Sequence, residues 1–197
     1  MQIIEITPPM QIKSWLWVIK ALSTNPNRPA IRHICVSECG SVVATDGYRL
    51  HKWNPEFLPP SMTPGVYSVV SKSAKLIVLK NQSEEFTFPD WKQIIPRGQD
   101  NKITLGDSKA GVSSKSALGV VVLETVTLID SDYITDALGF GTLTSRKADC
   151  LVGVTCTWKD ETGKNPVCLF PENDKQAVLM PIRCLIRRDF VPTNPQV

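Results

Sequence analysis

The sequence predicts an α+β protein made of repeated β-α-β-β-β units. A segment near the start of the chain has apolar residues at helical spacing, and a cap at residue 130 or 131 indicates a second helix. Short runs typical of strands surround both. The chain has 197 residues, of which 42% are apolar and 21% charged, as in ordinary soluble globular proteins. A chain of this length can bury a core without a disulfide or metal.

The first unit begins with a strand at residues 2–6, which ends at Thr7-Pro8-Pro9. A helix follows, with one apolar face formed by Ile12, Trp15, Leu16, Ile19 and Leu22. Strands are expected at residues 34–38, 41–45, 48–53 and 65–70, and Ser71 is expected to cap a short helix through Lys80.

The second unit is expected to follow two polar segments, 97–102 and 106–116, which are interpreted as boundaries. Residues 118–128 are rich in strand formers, and Asp130 or Ser131 caps a helix through about residue 140. Strands are expected at residues 149–158, 166–170 and 176–182.

The first predicted helix carries a stripe of Lys13, Trp17 and Lys20 opposite its apolar face. Such a stripe is usually a solvated face whose tryptophan is covered by a neighbouring element. The alternative is a surface that meets phosphates, with Trp17 as a flat partner for a sugar or base.

The stretch VATDGYRL, residues 43–50, places Asp-Gly between two apolar runs. This is a strong hairpin signal, because both central positions of the turn favour positive φ. Turn chemistry explains Asp46 and Gly47, but it does not explain Thr45, Tyr48 and Arg49.

Several classes of function lack support in the sequence. The six cysteines form no CxxC pair, the two histidines do not complete a zinc set, and without a secretion signal the cysteines are expected to be reduced. No Ser/His/Asp set or phosphate-binding glycine loop is visible, so we expect neither catalysis nor a cofactor. No apolar run is long enough to span a membrane, and a cytoplasmic protein is expected.

Three separated segments, taken together, resemble the bacterial sliding clamp, the β subunit of DNA polymerase III. They are VATDGYRL (43–50), FPDWKQIIP (88–96) and AVLMPIR (177–183), where the family has segments similar to ATDGHRL, FPDYRxVxP and VVMPMR. Arg28-Pro29-Ala30-Ile31 and the segment 129–134 add support. The resemblance implies a DNA clamp fold with outer antiparallel sheets and inner helices.

The resemblance covers the family's second and third domains, so we expect domains at 1–100 and 101–184, the latter truncated, and a tail at 185–197. In the family, helices line a hole that holds double-stranded DNA without regard to sequence. The residues expected to face DNA are Lys13, Trp17, Lys20, Lys72, Lys75 and Lys80.

The family also binds short peptides of polymerases, loaders and repair proteins in a cleft between these two domains. By resemblance this cleft is formed by Ile31, Thr45, Gly47, Tyr48, Arg49, Leu50, Pro89, Gln93, Ile94, Val178, Leu179, Met180, Pro181, Ile182 and Arg183. Each aliphatic residue alone would be interpreted as core. The tail carries Leu185, Ile186, Phe190 and Val191, and it either covers the cleft, docks on a neighbouring chain or frays.

The predicted function is that of a non-enzymatic, clamp-like processivity factor of DNA replication or repair, of a kind that a phage or mobile element could carry. A ring built from this chain would need several copies, and three is the expected number. The alternative is a monomeric or dimeric peptide-binding module or decoy, without a ring, that regulates replisome proteins.

Overall fold

The computed structural model describes residues 2–8, 11–95, 101–104, 111–113, 120–122, 126–128, 131–137, 155–158, 166–172 and 174–180. The helices are α1 (Ile12–Ile19) and α2 (Ser131–Ala137). The strands are β1 (Ile3–Ile6), β2 (Ile34–Val36), β3 (Val42–Thr45), β4 (Arg49–Trp53), β5 (Gly65–Lys72), β6 (Ile77–Asn81), β7 (Asn101–Thr104), β8 (Gly111–Ser113), β9 (Val120–Val122), β10 (Val126–Leu128), β11 (Thr155–Trp158), β12 (Val167–Glu172) and β13 (Lys175–Leu179).

The strands form a ten-stranded antiparallel sheet in the order β1-β6-β5-β2-β3-β4-β13-β12-β11-β7, and a smaller sheet in the order β10-β9-β8. The large sheet crosses from the first half of the chain to the second where β4 pairs with β13 and Leu50 lies opposite Val178. This pairing brings VATDGYRL and AVLMPIR side by side, although they are far apart in the chain.

Both predicted β-α-β-β-β units are present, as β1-α1-β2-β3-β4 and β10-α2-β11-β12-β13. The two helices cover the same face of the large sheet, because Trp15 and Val18 of α1 share one apolar core with Ile134 and Ala137 of α2. The predicted fold class, α+β with sheets on one side and helices on the other, is confirmed.

The apolar stripe of α1 packs on this helix-covered face of the sheet. Trp15 is 1% exposed and meets Trp53 edge to face, with ring centroids 5.5 Å apart. The helix ends at Ile19, earlier than the apolar spacing predicts. Leu22 instead belongs to a closing turn, in which its N–H donates to the carbonyl of Ile19 at 3.2 Å.

The opposite face of the sheet has its own apolar cluster near the β4–β13 pairing. A 3₁₀ turn at Trp91–Ile94, the Trp91 turn, covers Val43 of β3, Leu50 of β4 and Val178 of β13. Strands β3, β4 and β13 are therefore covered on both faces. This accounts for the burial of every residue in β3.

The predicted helix from Ser71 to Lys80 is wrong, because these residues form the β5–β6 hairpin. Ile77 and Leu79 are fully buried while the residues between and after them are half-buried, which is the two-residue period of a strand. The serine that accepts backbone N–H groups is Ser73, whose Oγ bonds to Lys75 and Leu76 within the hairpin turn.

Two further strands lie in segments interpreted as boundaries. Strand β7 occupies the end of 97–102 and continues to Thr104, and β8 lies within 106–116. Among the described strands, β7 is the last of the large sheet and pairs only with β11. A polar sequence is compatible with such an edge position. In the second half, α2, β11, β12 and β13 lie where they were predicted.

No helix among the described residues is long and apolar enough to cross a membrane. The predicted tail at 185–197 lies outside the described residues. The predicted domain bounds stay a prediction, since one sheet runs through both halves of the chain.

Candidate functional site

A cleft with a volume of about 430 Å³ opens beside the β3–β4 hairpin. Three segments form its walls: a 3₁₀ turn at Pro29–Arg32, the hairpin loop, and the Trp91 turn. The lining residues are Arg28, Pro29, Ala30, Ile31, Thr45, Gly47, Leu50, Pro89, Asp90, Trp91 and Ile94. Most of them are apolar, and the volume falls in the range of small-ligand and peptide-anchor pockets.

The hairpin loop is held rigid by its own side chains. Thr45 Oγ accepts the N–H of Gly47 at 3.0 Å and donates to the carbonyl of Arg49 at 2.6 Å. Asp46 Oδ1 accepts the N–H groups of Tyr48 at 2.8 Å and Arg49 at 2.9 Å. Thr45 and Asp46 therefore satisfy the loop backbone themselves, which fixes one wall of the cleft.

Gly47 is required by backbone angle and by space. Its φ of +93° lies in the region that side chains disfavour. A Cβ placed there would lie 2.6 Å from Arg28 Nη1 and 3.9 Å from Ile31 Cδ1. The glycine thus lets Arg28 lie across the loop at the edge of the cleft.

The Trp91 turn supplies the opposite wall. Asp90 caps it by accepting the N–H of Lys92 at 3.1 Å, and Gln93 Nε2 donates to the other carboxylate oxygen of Asp90 at 2.9 Å. Trp91, 8% exposed, packs on Leu50 in the cluster that also holds Val178. Ile94 stays 38% exposed and leaves an apolar side chain at the cleft mouth.

Six of the predicted cleft residues line this cavity: Ile31, Thr45, Gly47, Leu50, Pro89 and Ile94. Val178 lies behind them, in the cluster under Leu50 and Trp91. Gln93 is exposed beside the cavity, and Tyr48, 58% exposed, stands next to it. Met180 is tied to the loop because its N–H donates to the carbonyl of Tyr48 at 2.8 Å.

The structure corrects the prediction for Arg49, whose side chain turns toward the two helices. Its Nε lies 3.0 Å from Asp46 Oδ2, its Nη1 2.5 Å from Asp136 Oδ2, and its Nη2 donates to the carbonyl of Lys20 at 2.7 Å. The guanidinium also lies over the ring of Tyr133. Through these contacts Arg49 links the hairpin to α2 and to the residue that follows α1. Its side chain does not line the cleft.

Leu179 also differs from its predicted role. It is fully buried in the core beneath α1, whereas Val178 belongs to the cluster on the cleft side. Successive residues of a strand point to opposite faces, so these two neighbours cannot both serve the cleft. The predicted residues Pro181, Ile182 and Arg183 lie outside the described residues.

Sequence reasoning missed Arg28, Pro29, Ala30, Asp90 and Trp91 as lining residues. Both groups lie within segments that carried the resemblance, RPAI and FPDWKQIIP. Each segment contains proline and forms a short 3₁₀ turn, so adjacent residues of a turn reach the same cavity. Including the sequence neighbours of each predicted residue within its turn would have identified these five lining residues.

The residues predicted to face DNA do not all lie on one surface. Trp17 is 7% exposed, stacks on His51 with ring centroids 4.2 Å apart, and donates from its indole nitrogen to the carbonyl of Ala137 at 2.8 Å. A buried indole cannot stack on a base or sugar, so the prediction for Trp17 is wrong.

The lysines divide between two elements. Lys13 and Lys20 are exposed on α1 and just after it, and Lys20 Nζ lies 3.2 Å from Asp136 Oδ1. Lys72, Lys75 and Lys80 lie on the β5–β6 hairpin instead of a helix. They were expected to face DNA because they were predicted to lie on a helix, so that reason no longer applies.

His51 lies under α1 without exposure to solvent. Its Nδ1 is 2.8 Å from the carbonyl of Trp17, which makes Nδ1 the protonated nitrogen, and Nε2 has no partner among the described residues. Burial lowers the pKa of His51 to about 4, against the opposing effect of the Trp17 hydrogen bond. The ring is therefore neutral at neutral pH.

No group of three or more His, Cys, Asp or Glu side chains within the described part of the chain is arranged to hold a metal ion. The cleft combines an apolar floor with two charged side chains in its lining, Arg28 and Asp90. Its chemistry is that of a site that binds by apolar burial.

Solved structures of sliding clamps share this architecture. The DNA polymerase III β subunit of Borrelia burgdorferi matches 92% of the chain with a TM-score of 0.55 at 15% identity, and the β sliding clamp of Caulobacter crescentus matches 93% with a TM-score of 0.57 at 16% identity. The Helicobacter pylori β clamp, solved with a DNA ligase peptide, matches 92% with a TM-score of 0.55 at 14% identity.

The chain spans 64% of the Borrelia clamp and 66% of the other two. No family model matches the sequence, and no curated protein matches it. At these identities the likeness concerns the fold. The chain has the fold of the DNA polymerase III β subunit, the sliding clamp.

Proposed function

We propose that the protein is a clamp-like factor of DNA replication or repair that holds a partner through a short peptide bound in the cleft. The observation that carries the proposal is the convergence of three separate segments on one apolar cavity in a chain with the clamp fold. The Helicobacter pylori clamp was solved with a DNA ligase peptide, which supports a peptide as the ligand class.

The lining suits one or two apolar anchor side chains. Burying a leucine- or phenylalanine-sized side chain contributes roughly 1.5–3 kcal/mol. Ile31 and Leu50 form a buried floor, and Ile94 at the mouth can close over an inserted side chain. One or two such anchors contribute about 1.5–6 kcal/mol, which alone corresponds to a Kd well above 1 μM. The turns that form the walls are already fixed and lose little entropy on binding, which limits the cost of association.

The proposed role is binding without catalysis. The partner would be a polymerase, a loader or a repair protein in the cytoplasm, and the protein would tether it to double-stranded DNA without reading sequence. Exposed Lys13 and Lys20 on the helix-covered side offer contacts to phosphate. Encirclement of DNA would need a homo-oligomer, and three copies is the number we propose.

The experiment measures the binding of a fluorescent DNA ligase peptide, of the kind present in the Helicobacter pylori complex, by fluorescence anisotropy. Ile94→Asp places a charge at the mouth of the cleft and should raise the Kd about tenfold or more, because an anchor then enters next to a carboxylate. Phe57→Asp is the matched control, since Phe57 is 60% exposed away from the cleft. Equal affinities of the two variants would overturn the proposal.

A second candidate is a peptide-binding module or decoy that does not encircle DNA. The burial of Trp17 and the hairpin position of three predicted DNA-facing lysines favour it. Mass in solution and retention on DNA separate the two functions. A ring gives a multimer that stays on circular DNA at high salt and slides off linear DNA, whereas a module stays small and binds DNA weakly at any topology.

A further inference from the structure

A second cavity, with a volume of about 600 Å³, lies at the end of α1, between the residues that follow the helix, the Pro29–Arg32 turn and strand β5. It shares only Pro29 with the lining of the cleft. Lys20, Arg32 and Lys72 all line it, and no acidic side chain belongs to its lining among the described residues. We call it the basic cavity.

The positive charge of the basic cavity is only partly compensated. Lys20 is paired with Asp136 at 3.2 Å, while Arg32 and Lys72 make no side-chain hydrogen bond or ion pair with any described residue. The carbonyl of Lys20, the residue that follows α1, already accepts a hydrogen bond from Arg49. Two free cations in a concave wall focus a positive potential into the cavity and attract an anion.

Two buried polar side chains in the same wall have unused hydrogen-bonding capacity. Ser23 is 7% exposed, and its Oγ accepts the N–H of Asn25 at 3.1 Å, while its own hydrogen reaches no acceptor among the described residues. His33 is 9% exposed, and its Nδ1 lies 2.7 Å from the carbonyl of Pro29, which leaves Nε2 without a described partner. Neither side chain carries a buried polar atom that lacks a partner, since His51 Nε2 is the only such atom among the described residues. Both can still add a hydrogen bond to a ligand in the cavity.

One side of the basic cavity is a flat apolar wall. Phe86 lines it and stacks on His33, with ring centroids 4.4 Å apart and planes 26° from parallel. The cavity thus combines cations, hydroxyl donors and an aromatic face. A phosphate joined to a flat or apolar group, as in a nucleotide, matches this combination.

We propose that the basic cavity is a phosphate-binding site that takes the phosphate of a nucleotide, either free or within a DNA strand, with Arg32 and Lys72 as its main ligands. Arg32 can offer two parallel N–H groups to phosphate oxygens, and Lys72 and Lys20 add charge. The site does not depend on the peptide cleft, and its DNA-strand form rests on the proposed tethering to DNA. Lys20 and Lys72, expected on two separate helices, here serve one site.

The test uses the full chain and the double variant Arg32→Gln/Lys72→Gln, whose two positions are exposed, so the fold is retained. Lys75→Gln/Lys80→Gln removes the same net charge from positions of the same hairpin outside the cavity and is the matched control. Titration calorimetry measures adenosine 5′-monophosphate and inorganic phosphate, and anisotropy measures a fluorescent single-stranded 12-mer. The ligase-peptide titration checks the cleft separately.

We expect the Arg32/Lys72 variant to bind adenosine monophosphate about tenfold or more weakly than the wild type, while the control changes by about twofold or less. If the Arg32/Lys72 variant also binds the 12-mer more weakly, and the nucleotide displaces the 12-mer from the wild type, the site takes the phosphate of a DNA strand. An effect on the nucleotide alone assigns it to a free nucleotide. No binding of nucleotide or phosphate by the wild type, or equal losses in both variants, overturns the proposal. Both variants should bind the ligase peptide as the wild type does. A failure of the phosphate site can then be told apart from a failure of the proposed peptide cleft.

Discussion

Position 47 needs glycine for two reasons, its positive φ and the close approach of Arg28, and a comparison with Gly40 separates the two. Both have positive φ, +93° and +80°, so an added side chain strains the backbone at each by roughly 1–2 kcal/mol. Only at Gly47 does the added Cβ meet Arg28, because at Gly40 the nearest atom is Leu58 Cδ1 at 4.0 Å.

We therefore expect Gly47→Ala and Gly40→Ala to lower the free energy of unfolding by similar amounts in urea titrations. Since the flexible side chain of Arg28 can move away, Gly47→Ala should also displace it from the edge of the cleft and weaken ligase-peptide binding. Gly40→Ala should keep the wild-type affinity. Unchanged affinity in Gly47→Ala would show that Arg28 has no part in the cleft.

Two long side chains show where single residues escaped prediction. Arg49 lies in a segment that resembles a cleft motif, yet its partner Asp136 is 87 positions away and draws the guanidinium to the helices. Trp17 has helical spacing with two lysines, yet His51 and Ala137 cover it. Local spacing assigns a residue to a face of its own element, but it cannot show which distant element packs there.

At the scale of elements, strands and helices were predictable where the apolar period was unambiguous. Helix α1 follows its apolar stripe from Ile12 to Ile19, although it ends before Leu22, and strand β4 lies within the predicted strand at 48–53. The β5–β6 hairpin was missed because Ser71 resembles a helix cap and the lysines that follow favour a helix, while the two-residue period of Ile77 and Leu79 decides the outcome.

The contact between α1 and β4 predicts a dependence of stability on pH. His51 has a pKa of about 4 in the folded protein and an ordinary value near 6.5 when unfolded, so the unfolded chain binds more protons between these values. Its contribution is fully present above pH 6.5 and is lost as the pH falls toward 4, by up to about 3 kcal/mol for 2.5 pKa units.

Urea titrations at pH 7 and pH 4.5 should show this loss in the wild type and a smaller loss in His51→Phe. Phenylalanine can still stack on Trp17, but it cannot take up a proton. The variant is expected to be less stable at pH 7, because the carbonyl of Trp17 loses its partner. An equal loss in both proteins would mean that His51 does not set the acid sensitivity.

At the scale of the whole molecule, the pairing of β4 with β13 joins the two halves of the chain. Without residues beyond 100, strand β4 would become a free edge and the cluster around Leu50 and Trp91 would lose Val178 and Cys168. We expect a fragment of residues 1–100 to aggregate or to melt well below the full chain in circular dichroism. A monomeric fragment with the full chain's melting temperature would identify the first half as an independent domain.

The resemblance, rather than periodicity, predicted the long-range part of the site. Nothing in the residues near VATDGYRL shows that AVLMPIR pairs with it, since register between distant strands is set by the sheet as a whole. The pairing of Leu50 with Val178 agrees with the expected meeting of these motifs. The residues of AVLMPIR nevertheless face opposite sides of the sheet: Val178 lies on the cleft side and Leu179 on the helix-covered side.

Within the part of the chain that the structure describes, the large sheet ends in β1 on one side and β7 on the other. These strands differ in sequence, so any pairing of β1 in one copy with β7 in the next would be a head-to-tail contact. Head-to-tail contacts repeat with a constant rotation, and they close only when that rotation divides a full turn. The angle between successive copies, more than the strength of the edge pairing, would then decide between a finite assembly and an endless filament.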